Sequence, residues 1–479
     1  MSIVSFPVGA RATLLASAGA IGLLALSAAP AAAVPSYARQ TGLACEACHT
    51  VFPELTPFGR RFKLDGYLIN NRQRISDVGQ NDRRNLDLSF FSPISAMVVA
   101  GYTHTSATAP DSNGLGNAQN NTTEFPSQLS LFYAGQVAPH LGTFIQITYD
   151  PTAGSIGMDN TDIRFADTEM LASGAKLDWG LSLNNNPTVQ DLWDTVPAWY
   201  NPYMAPNTVP GQGAGGATFI DGTVAGNSAG LTVYGMLNNT WYAEAGVYTS
   251  APQGVNGPYD SAAGMVIDGG APYWRFAGEW DWDNNSFEVG TYGMSAHTRV
   301  ANDLAGDGCL TQTSFVDSSG NPIFDTSGKC QGVGSGPTDN YLDYAFDTQY
   351  QYIGTRDIFT LAATWIHEDS TLNSTASAYN LANGTSLTAA NTHMDTVRGS
   401  LSYYYHRMIG GSIQPFDTFG SSTDLMAKPD TSGVTFEVDY LPFLNTKLAL
   451  AYTAYGKFAG ASTGATDNNT FYGYLWIAF

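Results

Sequence analysis

The sequence predicts an all-β protein: a sixteen-stranded antiparallel transmembrane β-barrel, closed by a small helical segment at the N-terminal side. Three observations carry this expectation. From about Leu88 onward apolar and polar side chains alternate with period two, as in strands whose two faces meet different surroundings. The strand-like stretches are joined alternately by tight turns and long loops, and the last run, 471 to 479, ends on Phe479. An even strand number with short turns at one rim and long loops at the other describes outer-membrane barrels. A soluble β-sandwich or β-helix shares the alternation but not the rhythm. Composition agrees, with 13% charged residues, 12% aromatic residues and 51 glycines. Sixteen strands leave room for an aqueous lumen.

The first element is a targeting segment over residues 1 to 33. Arg11 precedes an Ala/Leu-rich run from Thr13 to Ala29, and Ala31, Ala32 and Ala33 form a small-residue cleavage site, so the mature chain begins at Val34. A membrane anchor fits less well, because Gly and Ala dilute the run and small residues end it. Export implies an oxidising compartment. There a disulfide between Cys309 and Cys330 is the economical reading of those two thiols.

The second element, residues 34 to 85, is basic. It holds 8 Lys+Arg against 5 Asp+Glu, whereas residues 86 to 479 hold 11 against 36. So acidic a barrel excludes nucleic acid as a partner and attracts cations, although solvated surface charge accounts for much of the excess. Two short helices are expected in the basic segment, one over 51 to 55 and one over 57 to 68, where Pro57 suits a first helical turn.

The third element is the barrel. Its strands are expected near 89–105, 127–138, 143–150, 159–168, 174–185, 227–236, 240–249, 271–282, 286–297, 341–352, 357–369, 394–405, 408–417, 432–441, 445–457 and 469–479. Trp274, Phe276, Trp280 and Trp282 share one parity and suit the lipid face, as do Tyr344, Phe346, Tyr350 and Tyr352. The other parity carries Arg275, Glu279, Asp281, Asp343 and Asp347, and a charge facing hydrocarbon at mid-depth costs roughly 2–4 kcal/mol, so this set faces the lumen. The same argument places Glu244, Glu288, Glu437 and Asp439 inside, with Lys176, Arg275, Arg398 and Lys447 as counter-charges.

Chemistry concentrates in the basic segment. Cys45, Cys48 and His49 form a Cys-x-x-Cys-His motif, the attachment pattern of a c-type haem. Each thiol links one vinyl group and the imidazole becomes the proximal iron ligand. A shuffled chain of this composition would contain the motif only about once in two thousand cases. The competing readings are a redox dithiol and half of a zinc site, and no second Cys pair or nearby His completes a zinc set. The barrel plug is therefore expected to carry one covalent haem c.

A sixth iron ligand is harder to read. Between Val34 and Ala96 there is no Met and no second His, so the ligand comes from the barrel, from Lys63 or from water, or the iron is five-coordinate. Met97 is the first candidate, since its parity with Ser95 and Thr103 points it inward; Met294, in phase with Glu288, is the second. Either Met is more often plain packing. Arg60, Arg61 and Lys63 either pair with haem propionates or dock a basic plug on an acidic wall.

The stretch from Ala38 to Tyr67, ARQTGLACEACHTVFPELTPFGRRFKLDGY, followed by a sixteen-strand barrel with the run Asn184 to Trp199, resembles the outer-membrane fused cytochrome-porins of iron-oxidising bacteria. The resemblance implies a monohaem segment plugging a porin-like barrel, which takes electrons from extracellular Fe(II) and passes them to periplasmic carriers such as a cytochrome c or a copper protein. It implies Cys45 and Cys48 as haem anchors and His49 as proximal ligand. Fe(II) gives one electron and haem accepts one, and a plugged lumen is expected to hold the haem close to the outer face, so Fe(III) never enters the cell. Asp303, Asp307 and Asp317 in a long loop could gather Fe(II) transiently. Two other functions fit the residues: a solute porin gated by its haem segment, and an electron conduit for another extracellular donor. No combination of nucleophile, base and orienting group suggests a hydrolase or transferase.

Overall fold

The computed structural model describes residues 35–69, 74–78, 84–107, 121–151, 154–206, 217–223, 228–250, 265–300, 337–383, 385–426 and 428–479. The targeting segment 1–33, the Cys309–Cys330 disulfide and the loop aspartates 303, 307 and 317 lie outside these residues.

Three short helices come first: α1 (Pro35–Thr41), α2 (Cys45–Cys48) and α3 (Pro57–Leu64). A hairpin, β1 (Arg74–Val78) and β2 (Arg84–Ser89), leads into the sheet. The long strands are β3 (Ile94–Thr105), β4 (Thr122–Ala138), β5 (Leu141–Asp150), β6 (Ser155–Met170), β7 (Lys176–Asn184), β8 (Ser228–Leu237) and β9 (Trp241–Ser250). After the three-residue β10 (Met265–Ile267) follow β11 (Ala271–Trp282), β12 (Asn285–Val300), β13 (Asp339–Ile353), β14 (Asp357–Leu372), β15 (Asn391–Tyr405), β16 (Ile409–Gly420), β17 (Thr431–Phe443), β18 (Thr446–Lys457) and β19 (Thr470–Ala478). Helix α4 (Asn373–Asn383) sits in the loop between β14 and β15.

Each long strand pairs antiparallel with its neighbours, β9 pairs with β11, and β19 returns to β3 with Trp476 opposite Val99. Strand β10 only appends to β12. Sixteen strands thus close on themselves and no barrel edge is left unpaired, the condition for crossing a bilayer with strands. The architecture is that of a porin-like outer-membrane barrel.

Parity decides which side chain faces what, as the alternation predicts. Phe276, Phe346, Val438 and Leu450 point outward, each about half exposed or more, while Arg275, Glu279, Glu288, Asp343 and Asp347 are buried inside. The counter-charges find their partners there: Lys447 meets Glu437 at 2.7 Å and Asp439 at 3.1 Å, and Arg398 meets Asp221 at 2.6 Å.

Four expectations need correction. The first barrel strand starts at Ile94 rather than near 89, because residues 84–89 belong to the β1–β2 hairpin. Residues 51 to 55 form no helix; they make a tight turn bridged from His49 to Leu55, since Pro53 lacks an amide hydrogen and five residues cannot offset the cost of nucleation. The helix expected over 57 to 68 ends at Leu64, because Gly66 and Tyr67 take positive φ. The plug also sits at the short-turn rim and not toward the outer face. Gln40 Nε2 donates to Ala134 O (2.8 Å), Tyr37 Oη to Thr143 O (2.7 Å) and Arg61 to the turn carbonyl of Asn239 (2.7 Å), all near that rim. Strand β3 begins there, and Phe479 meets Ala96 there through two backbone bonds.

The other filler comes from the opposite rim. The long connection between β7 and β8 turns into the lumen, where Val189, Leu192, Trp193 and Thr195 are at most 1% exposed. Its contacts are specific: Asp191 to Arg275 (2.8 Å), Trp193 Nε1 to Glu279, and Thr195 to Asp347. Plug and inserted loop also meet directly, through the Leu55 amide donating to Asp194 (2.8 Å) and Lys63 Nζ to Val189 O (2.8 Å).

Candidate cofactor-binding site

Cys45, Cys48 and His49 lie on and just after α2, and all three face one cavity of about 370 Å³ between plug, barrel wall and inserted loop. That size lies within the range of small-molecule sites. Its lining is mostly apolar, with Phe52 and Phe62 from the plug, Phe132, Phe144 and Trp476 from the wall, and Trp199 from the loop.

Local chemistry brings the motif into place. Thr56 caps α3 by accepting from the Gly59 amide (3.1 Å), and Pro57 takes the first helical position, as expected. Thr56 also donates to Ala47 O (2.7 Å) and its amide to Cys48 O (2.9 Å), which clasps α3 against α2. Gly59 is required at that crossing, because a Cβ there would overlap the Cys48 carbonyl. At the far end of α3, Gly66 takes a left-handed conformation (φ 71°) and presses its carbonyl on Gly142 of β5, where any side chain would collide.

His49 is poised as a ligand. Nδ1 lies 2.8 Å from the Pro53 carbonyl. A carbonyl only accepts, so in the neutral ring Nδ1 carries the proton and the lone pair sits on Nε2. Burial keeps the ring neutral, lowering its pKa to about 4. The ring packs edge-on against Phe52, itself edge-on to Trp476.

The motif's other readings fare less well. Burial, then the nearby Cys45, pushes the Cys48 thiol up to about 11, opposite to the activated thiolate of a redox dithiol. Among the described residues no cluster of three or more His, Cys, Asp and Glu has the placement of a metal site, so half of a zinc centre finds no other half. The donor set, two thiols and one imidazole with its lone pair on Nε2, and the large apolar cavity beside them fit a covalently held haem.

The remaining site expectations divide. Met97 is inward and lines the cavity, whereas Met294 packs in a separate cluster with Tyr248, Tyr273 and Tyr292. Arg60 and Arg61 do not line the cavity. Arg60 pairs with Glu279 at 2.8 Å and donates to Gln351 (2.8 Å) and Ser286 (2.6 Å), and Arg61 reaches Glu279 at 3.0 Å, so both dock plug on wall. Lys63 does line it, over the Trp199 ring at 4.5 Å, and burial lowers its pKa to about 8. Sequence reasoning missed Met204 and Tyr203, loop residues that share the cavity and that no periodicity marks.

No protein-family model and no curated protein sequence matches the chain. Among solved structures it is similar to the Acinetobacter baumannii outer-membrane channel DcaP (9% identity, TM-score 0.45, covering 81% of this chain and 96% of that one). It is also similar to Salmonella typhi OmpF in complex with daunomycin (11%, TM-score 0.40, 81% and 97%) and to Vibrio cholerae OmpT (9%, TM-score 0.40, 81% and 97%).

Proposed function

We propose that the chain is an outer-membrane c-type cytochrome, an electron-transfer oxidoreductase that oxidises extracellular Fe(II) and passes the electrons through one covalent haem to periplasmic carriers. What supports this most is the His49 ring, its Nδ1 committed to the Pro53 carbonyl so that the lone pair sits on Nε2, in one apolar cavity with Cys45 and Cys48. Haem held there would supply one-electron chemistry matched to Fe(II). Cys45 and Cys48 would anchor it through thioether links, His49 would ligate the iron, and Phe52, Phe132 and Trp476 would keep water from it. Met97 is the sixth-ligand candidate carried over from the sequence. Iron as the donor rests on the resemblance of residues 38 to 67. The plug's place at the short-turn rim suits delivery to a periplasmic cytochrome c or copper protein, since short turns face the periplasm.

A solute porin is the second reading, and the barrel shape favours it. The lumen argues against it. Arg60, Arg164, Arg275, Glu279 and Trp193 lie in the interior at no more than 1% exposure, so plug and inserted loop fill the lumen along the β6 and β11 walls.

Stopped-flow mixing of the purified oxidised protein with Fe(II), followed at the haem bands, tests the proposal. Saturable reduction supports it, and His49 substitution should remove the reaction while leaving the barrel folded. No reduction by Fe(II), with ready reduction by another donor, would move the protein to a different conduit.

A further inference from the structure

Resting on the haem reading above, we infer that Met204, on the inserted loop, supplies the sixth ligand to the iron.

The cavity restricts the choice among the described residues. His49 is the one imidazole in its lining. The phenols of Tyr37, Tyr67 and Tyr200 are spent on Thr143 O (2.7 Å), Asp162 (2.7 Å) and Asp221 (2.9 Å). Lys63 Nζ is bound to Val189 O at 2.8 Å, and Asp194 holds the Leu55 amide. Tyr203 shares a side-chain hydrogen bond with Asn201, and the thioethers of the lining are Met97 and Met204.

Accessibility and backbone separate them. Met97 is 3% exposed, and its strand is hydrogen-bonded on both sides, with Ser130 and Ala478 as partners. Paired on both sides, that strand fixes the Met97 thioether where the wall sets it. Met204 is only partly buried and borders the cavity, so it presents surface to the space a ligand must share. Its loop is nevertheless held: Trp199 Nε1 donates to Val189 O (2.7 Å), Tyr200 to Asp221, and Asn201 Nδ2 to Ser400 (2.9 Å). The loop enters from the long-loop side and meets the plug at the cavity, where Met204 packs in one cluster with Cys48, Phe52 and Phe62. A thioether opposite imidazole raises the reduction potential of a c-type haem, in keeping with a donor as weak as Fe(II).

The experiment uses the full-length, haem-loaded protein and its Met204→Leu, Met97→Leu and Met204→His variants. Covalent haem is counted by pyridine haemochrome, and barrel folding by heat-modifiable gel mobility. Met204→Leu should keep its haem, lose the far-red charge-transfer band of a thioether-ligated ferric haem, and shift to a lower midpoint potential; Met97→Leu should keep the band. Met204→His should restore a six-coordinate low-spin spectrum of the bis-imidazole type. Survival of the band in Met204→Leu, its loss in Met97→Leu alone, or its absence from a haem-bearing wild type overturns the assignment. A wild type without covalent haem is a different result, and overturns the haem reading itself.

Discussion

Gly59 has no room for a side chain, because the Cys48 carbonyl occupies the space a Cβ would need. Gly59→Ala should therefore push α3 off α2, at roughly 1–3 kcal/mol for overpacking, and lower covalent haem content while gel mobility still reports a folded barrel. Arg60 is the complementary case, a cation with 1% exposure held by Glu279. Replacing it with Met takes one of two cations from buried Glu279, leaving Arg61 at 3.0 Å and the Trp193 indole, so the cost falls below the about 3–5 kcal/mol of a fully stranded charge, and limited proteolysis should then cut the plug while sparing the strands. At this scale the sequence was legible only where spacing carries chemistry. Cys45, Cys48 and His49 announce themselves within five residues, and their one cavity follows. For Arg60 and Arg61 the sequence held two meanings open, because the partner Glu279 lies more than two hundred residues away and only the folded barrel brings it near.

The inserted loop between β7 and β8 is the element that joins plug to wall, and acid should strengthen its grip. Burial pushes the Asp194 carboxyl up to about 7, and Asp65 at the end of α3 up to about 6, by burial and then by Asp178. Such groups stay protonated in the fold where the unfolded chain, with ordinary carboxyl values near 3.9, has ionised. The folded state then binds more protons at these two groups, so their contribution to stability is fully present below about pH 4 and is lost as pH rises toward 7, by up to about 1.4 kcal/mol per pH unit for each group. Hydrogen exchange at the Leu55 amide should thus be slower at pH 4 than at pH 7 after correction for intrinsic rates. Asp194→Asn, whose side-chain oxygen still accepts from Leu55, should flatten that difference. Nothing in the period of the chain foretold this element. Residues 185–206 carry neither helical nor strand alternation, and their shape is set by Arg275, Glu279 and Asp347 on the wall they meet.

Across the whole molecule the strands were the most legible part, since a two-sided wall must alternate and a closed barrel must return to its start. What occupies the lumen was not, because packing between distant segments leaves no period. With plug and loop inside, the full-length protein in planar bilayers should give a conductance far below that of an open sixteen-stranded channel; a large steady current would restore the porin reading. The placement of Cys45 also says something about time. Its side chain is 5% exposed, and the cavity it borders is walled by β3 and β4 near the start of the chain and by β19 at its very end. An attachment enzyme could not reach the Cys45 thiol once the last strand has zipped to the first. If haem is joined to Cys45 and Cys48, it must be joined while the chain still waits in the periplasm, so that the membrane-inserting machinery closes the wall around a finished cofactor.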